Sequence, residues 1–156
     1  MAEAELEVHV APASEVSPET LYRILQLRID VFVVEQHCAY PELDGRDLEP
    51  DAWLLWVAEP AGTVLATLRI VHDPLAARIG RVATARSARS GGLAARLMSR
   101  ALELTDRAGD DVVIDAQSPL QTWYEQFGFA VSGEPFVEDG IPHVPMTRRH
   151  RPGVRI

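Results

Sequence analysis

The sequence predicts an α+β domain built on one mixed central sheet of about six to seven strands, flanked by helices. Three observations carry that expectation. Short apolar runs of strand length recur along the chain, several with period-two alternation. Two longer stretches show helical spacing, bounded by cap and stop signals. The order of these segments, β-α-β-β-β-α-β-α-β-β, is not the strict alternation of a parallel βαβ array. A chain of 156 residues can bury a core around such a sheet. No repeat or linker divides it, so 1–156 reads as one domain, with a core over about 5–147 and a short basic C-terminal tail.

The elements follow in order. Glu5 to Val10 alternate polar and apolar, the pattern of a half-buried strand. Ser17-Pro18 opens a helix, the serine as cap and the proline in the first turn. Leu21, Ile24, Leu25, Arg28 and Phe32 then share one face, and the helix ends near Val33-Val34-Glu35. From His37 to Pro50 the breakers Pro41, Asp44-Gly45 and Pro50 mark a loop. Trp53 to Ala58 is a continuous apolar run, fit for a strand buried on both faces, with Trp53 and Trp56 as core. Pro60 and Gly62 turn the chain into the next strand, Val64 to Val71. Ile79 to Ala83 is the fourth strand. Leu93, Leu97, Met98, Ala101 and Leu102 define an amphipathic helix that Gly109 stops. Val112 to Ile114 is the fifth strand, Leu120 to Phe127 a short helix ended by Gly128, and Phe129 to Val131 a further strand. Glu134 to Gly140 reads as a turn-rich link, and His143 to Thr147 as the last strand. Arg148, Arg149, His150, Arg151 and Arg155 read as a solvated tail.

Composition narrows the partners. Hydrophobic residues at 47% and charged residues at 24% are ordinary globular values, which excludes wholesale disorder. A net charge of −8 argues against a general nucleic-acid binder, which needs a basic face to displace counterions. It leans weakly toward a cationic acceptor. Cys38 is the only cysteine, so the chain forms no internal disulfide and no cysteine-based zinc site; it reads as a small buried hydrophobe, and no metal is expected. Nothing in the sequence approaches a signal peptide or a membrane span, so the expectation is a cytoplasmic protein with no membrane partner.

The most informative stretch runs from Ile79 to Met98: strand, polar link, glycine pair, helix. A helix that begins at a glycine-rich turn presents unpaired backbone N–H groups and the positive end of its dipole. A diphosphate fits there, and glycine lets the backbone approach its oxygens. Arg89-Ser90-Gly91-Gly92-Leu93-Ala94 has arginine first, glycine fourth and a small residue sixth. Arg89 can add charge-assisted bonds to the same phosphates. A Walker loop is excluded because the chain contains no lysine, and the three-glycine dinucleotide fingerprint is absent.

This fragment resembles the pyrophosphate loop of the GNAT superfamily, R/Q-x-x-G-x-G/A, in its expected place after the fourth strand. A second hallmark follows: Trp123-Tyr124-Glu125-Gln126-Phe127-Gly128-Phe129 looks like the superfamily's F/L-Y-E-x-x-G-F segment. The resemblance narrows to the ElaA-like branch. Its pieces are Leu27-Arg28 with Val31-Phe32-Val33-Val34-Glu35-Gln36, Asp44-Gly45, Arg69-Ile70, Gly80-Arg81-Val82, and Glu138-Asp139-Gly140-Ile141-Pro142-His143. Together they span about Leu21 to Met146.

The resemblance implies a GNAT fold, its sheet splayed between strands four and five, and an N-acetyltransferase using acetyl-CoA as co-substrate. A primary amine, on a small molecule or a peptide, attacks the thioester directly in a ternary complex. It implies a backbone oxyanion donor at Val82, with Ala83 and Thr84 continuing along the pantetheine arm. Arg89, Ser90, Gly91, Gly92, Leu93, Ala94 and Ala95 would surround the pyrophosphate. Gln117 stands where an asparagine often holds the pantetheine, with Ser118 as a nearby substitute. Tyr124 would be the acid for the leaving thiolate; a phenol is neutral at pH 7 and able to donate. The base stays open. Arg78 occupies the position where some GNAT enzymes carry a glutamate, which leaves Glu35, Asp115, His72 and His143, a water relay, or no dedicated base. Arg28, a charge on an apolar helix face, is either a buried pair with Glu35 or an acid in the following loop, or a substrate contact. The partners left are the amine acceptor and a homodimer.

Two alternatives share the fold. One is a module or sensor that holds acyl-CoA without turnover. The other is an acyl-homoserine-lactone synthase, suggested by Arg28, Val31-Phe32 and the acids Glu42, Asp44 and Asp47. Those chains usually lack a good pyrophosphate loop, which this chain has.

Overall fold

The computed structural model describes residues 6–39 and 41–152. The described residues form one eight-stranded sheet. Strand β1 (His9–Pro12) is one edge; Glu5, where the sequence would start it, lies outside the described residues. It pairs antiparallel with β2 (Trp53–Ala58), and β3 (Val64–His72) and β4 (Ala77–Thr84) follow in an antiparallel meander. Strand β5 (Val112–Gln117) then runs parallel to β4, and β8 (Ile141–Arg148) returns antiparallel to β5. Two short strands, β6 (Ala130–Val131) and β7 (Phe136–Glu138), both pair with β8. The one parallel pair makes the sheet mixed.

Helix α1 (Pro18–Ile29) starts where the sequence places it: the Ser17 hydroxyl accepts from the Thr20 amide at 3.2 Å. It passes without a break into a wider π-helical turn, Asp30–Glu35. Helix α2 (Leu93–Ala108) stops at Gly109, which takes a left-handed φ of 77°. Helix α3 (Gln121–Glu125) is shorter than its apolar pattern suggests, and turns closed by Phe127 and Gly128 carry the chain onward.

The two long helices cover opposite faces of the sheet. Leu97, Met98, Ala101 and Leu102 of α2 pack with Leu55, Leu68, Ile70 and Ile114. On the other face Ile24, Leu27 and Val31 meet Leu54, Val64 and Val71. Double coverage explains why Trp53 to Ala58 shows no polar alternation. Trp53 and Trp56 are partly buried against these two clusters.

Two expectations need correction. The link over 134–140 contains a strand, β7, closed onto β8 by Asp139-Gly140. That dipeptide is a strong two-residue hairpin signal, but Pro135 and the brevity of the run hid the strand. Arg148 is not tail: it is the last residue of β8 and is 5% exposed. Its guanidinium donates twice to Asp106 near the end of α2, at 2.8 and 3.2 Å, and once to the Phe127 carbonyl. The core therefore ends a residue later than about 147, while Arg149 is exposed as expected and Arg155 lies outside the described residues.

Two features of β4 create the site. It pairs with β5 only at Ala77–Val112 and Arg78–Val113, after which the strands part. On its other side the β3 ladder passes from Arg69–Gly80 to Thr67–Ala83. Arg81 and Val82 thus face Leu68 alone, a β-bulge whose first residue holds a φ of 53°.

Candidate acyl-transfer site

The gap between β4 and β5 opens a cavity of about 390 Å³. Val82 of the bulge lines it from one strand, and Asp115 and Gln117 from the other. Tyr124 of α3 and His143 of β8 also line it. A bulge frees main-chain groups from the ladder, which is the backbone condition for an oxyanion donor at Val82. Gln117 donates through Nε2 to the Gln36 side chain at 3.1 Å, tying β5 to the π-helical segment.

Tyr124 is 8% exposed and packs edge-on against Trp123 and Phe129. Its hydroxyl has no hydrogen-bond partner among the described residues. Burial pushes its pKa up to about 12. The phenol stays protonated and faces a cavity, rather than serving as an ordinary bonded core tyrosine.

The turn into α2 has the geometry an anion needs. Ser90 and Gly92 both take left-handed φ angles, 74° and 75°. Gly92 caps α2 with no side-chain hydrogen bond, and the first intrahelical bond nearby is from the Arg96 amide to the Gly92 carbonyl. The amides of Leu93, Ala94 and Ala95 precede that bond, so the helix end keeps its donors. A Cβ at Gly92 would meet nothing within 4 Å, which leaves open space against the turn.

Arg89 is already occupied. Both its terminal nitrogens donate to Glu35, at 2.7 Å each, and its Nε donates to the Thr84 carbonyl at 3.2 Å. Arg86 adds a weaker contact at 3.8 Å. The guanidinium bond holds the Glu35 carboxyl below its usual range, with burial opposing it. Glu35 therefore sits against the turn before α2 and is not among the cavity-lining residues.

The remaining candidates separate. Arg28 is 1% exposed and sits behind the wall, bonded to Glu42 at 2.8 Å and to Asp47 at 2.7 and 3.0 Å. Burial disfavours its charge, and bonds to Asp47 and Glu42 outweigh that and hold the guanidinium protonated. It is the buried-pair reading that the geometry matches. His72 lies 3.7 Å from Asp110 beside a separate small groove. Asp115 accepts from Arg78 at 3.0 Å. His143 stacks on Phe136, ring centroids 5.5 Å apart, and its Nδ1 lies 2.7 Å from the Ile141 carbonyl. A carbonyl only accepts, so Nδ1 carries the hydrogen and the neutral ring keeps its lone pair on Nε2.

Pattern reasoning missed the ionic wall of this cavity. Arg69 pairs with Asp44 and Asp47, and Arg81 with Glu42 and Asp44. Arg78 and Arg46 share Asp73. The readable signal was Arg69 inside the otherwise apolar run of β3, since a charge on a doubly covered strand requires a partner. Among the described residues, no group of three or more histidine, cysteine, aspartate or glutamate side chains is placed to hold a metal ion. None of the described helices is long and apolar enough to cross a membrane.

Comparison with known proteins accords with this geometry. Residues 14–150 match the model of the acetyltransferase (GNAT) domain. The UPF0039 protein Rv2851c of Mycobacterium tuberculosis is 45% identical over 141 residues, 87% of this chain and 88% of the relative. Protein ElaA of Escherichia coli is 40% identical over 139 residues, 86% and 91% of the two chains. The crystal structure of an acyl-CoA N-acyltransferase from Pseudomonas aeruginosa superposes with a TM-score of 0.87 at 38% identity, covering 92% of this chain and 99% of that one. The CoA-dependent acyl-homoserine lactone synthase BjaI reaches a TM-score of 0.79 at 22% identity, a likeness of fold alone.

Proposed function

The chain belongs to the GNAT acetyltransferase family, in its ElaA-like branch, and from that premise we propose that it moves an acetyl group from acetyl-CoA to a primary amine. One observation carries the proposal. The splayed strands and the unbonded phenol of Tyr124 share one cavity, and β4 leads from that cavity through Thr84, whose carbonyl accepts from Arg89, to the uncapped N-terminus of α2. Together they supply the three things a long thioester needs: a place for a diphosphate, a slot between strands and a proton donor.

The residues fit the donor. The amides of Leu93, Ala94 and Ala95, with Ser90, Gly91 and Gly92, receive the pyrophosphate, and Arg89 turns from Glu35 toward it. Ala83, Thr84, Gln117 and Ser118 flank the pantetheine. The bound thioester supplies an activated carbonyl; the Val82 amide faces its oxygen as charge develops there.

Tyr124 supplies the proton. With its pKa near 12, it stands about 3.5 units above a free thiol, an uphill transfer of about 5 kcal/mol if the thiolate were in water. The same burial raises the thiolate's basicity, so the gap narrows where both groups share one dry site. His143 is the proton acceptor we favour for the amine, because its Nδ1 is committed to a carbonyl and Nε2 retains the lone pair. Asp115 is engaged by Arg78, and Glu35 by Arg89, which leaves neither as free a base.

Tyr124→Phe tests the reading. Single-turnover acetyl transfer should slow by about 100-fold, the lower range for a positioned acid, with the acetyl-CoA dissociation constant nearly unchanged. Transfer at the parent rate would remove Tyr124 from the chemistry. Tight acetyl-CoA binding with no turnover of any amine by the parent would favour the non-catalytic sensor instead.

A further inference from the structure

The segment Glu138-Asp139-Gly140-Ile141-Pro142-His143 forms the β7–β8 hairpin, and the chemistry above uses only its last residue. Asp139 and Gly140 have φ angles of 48° and 76°. Two consecutive left-handed residues make a tight turn whose twist matches the flanking strands, so the hairpin tip is fixed in place. Glu138 and Asp139 are exposed at this tip and also line the cavity that holds Tyr124 and His143.

Their electrostatic situation sets them apart. Arg46, Arg69, Arg78 and Arg81 line the same cavity, and each is ion-paired to at least one carboxylate. The lining carboxylates Asp44 and Asp115 are each paired to an arginine. With Arg28 behind them, five arginines face six carboxylates: Glu42, Asp44, Asp47, Glu49, Asp73 and Asp115. The wall is already slightly negative. Glu138 and Asp139 add two charges with no ion-paired cation among the described residues. Their field reaches inward: the buried Cys38 thiol is pushed up first by burial, then by Asp139 and Glu138. Tyr124, 8% exposed and without a hydrogen-bond partner among the described residues, lines the same cavity and marks it as one that takes a ligand.

We propose that Glu138 and Asp139 form a subsite for a second cationic group, so that the acceptor is a small alkyl diamine or polyamine rather than a simple monoamine. This rests on the acetyl-transfer reading of the same cavity. One end of the acceptor presents its amine to the thioester carbonyl, where a C–N bond forms, the C–S bond breaks, and the amine's proton leaves to His143. The other end stays protonated and lies against the two carboxylates, which acetylation of the first nitrogen does not disturb.

Three acceptors of one length test it: 1,4-diaminobutane, 1-aminobutane and 4-aminobutanoate, whose far ends are cationic, neutral and anionic. We expect the parent protein to favour the diamine over the monoamine by about tenfold in kcat/KM, the size of two part-exposed charge contacts, with the amino acid poorest. In the Glu138→Gln, Asp139→Asn double variant the diamine preference should fall to near parity. Asparagine tolerates the left-handed turn, and a thermal melt verifies that the variant folds. A lysine-containing peptide separates the sources: turnover of the peptide above the diamine overturns the small-molecule assignment. Equal use of diamine and monoamine by the parent overturns the subsite and leaves acetyl transfer standing. No turnover of any probe overturns it as well, and titration with acetyl-CoA then shows whether the donor reading fell with it.

Discussion

Glu35→Gln separates two roles that the same carboxylate invites. If Glu35 were the base, its amide would lower the rate of transfer. The geometry instead places it on Arg89, with two bonds of 2.7 Å to the guanidinium proposed above to bind the donor's phosphates. Binding acetyl-CoA must then exchange a carboxylate for a phosphate on the same nitrogens. The side chains of Arg89 and Glu35 are 39% and 25% exposed, so solvent screens the pair, and its worth is that of a surface bridge, about 0.2–1 kcal/mol. Removing it should tighten acetyl-CoA by between about 1.4-fold and about fivefold, with kcat unchanged. The assay is calorimetric titration at low and high salt, paired with a steady-state amine assay. The gain should shrink at high salt, where exposed charges are screened. A fall in affinity, or a large loss of kcat with affinity intact, would refute the clamp and return Glu35 to the chemistry.

Two further outcomes concern stability. Arg28→Met strips the buried network of its most enclosed cation and should cost about 3 kcal/mol, the low end for a broken buried pair, because Arg81 still holds Glu42 and Arg69 still holds Asp47. At this chain size that lowers Tm by about 6–12 °C in a calorimetric scan. Tyr124, with its folded pKa near 12 and an unfolded value near 10, stabilises the fold fully below about pH 10. That contribution, about 3 kcal/mol, is lost as pH rises from about 10 to about 12; Tyr124→Phe should flatten this alkaline loss in denaturant melts.

Much of this molecule is legible in its sequence because local and tertiary preferences agree. Ser17-Pro18 starts α1, Gly109 stops α2, and the run from Trp53 to Ala58 is a strand to the residue, since covering both faces of β2 demands continuous apolar side chains. The turn before α2 is legible for a similar reason: the role proposed for it is main-chain, and glycine leaves its mark on the sequence. Pairings are what the sequence withholds. Arg89 reads as a phosphate ligand, and nothing local announces that Glu35, 54 positions earlier, will hold it. Arg148 reads as tail because its partner Asp106 is 42 residues away. Nothing local distinguishes His143 from the other three base candidates, because Phe136 and the Ile141 carbonyl that orient its ring come from the β7–β8 hairpin. The bulge at Arg81 and Val82 leaves no sequence trace at all, because it is a mismatch between two strands and not a property of either.

The turn before α2 is proposed to hold an acyl-CoA diphosphate, and calorimetric titration of acetyl-CoA into the parent protein and into Gly92→Glu puts that to the test. A Cβ at Gly92 has open space, and a carboxylate at a helix N-terminus favours the helix, so the variant should fold despite a left-handed φ of 75° that costs about 1–2 kcal/mol. The same carboxylate occupies the anion site. One acetyl-CoA should bind per parent chain, with at least tenfold weaker binding by the variant. A folded parent that takes up no acetyl-CoA, or a variant that binds it equally well, would contradict the account.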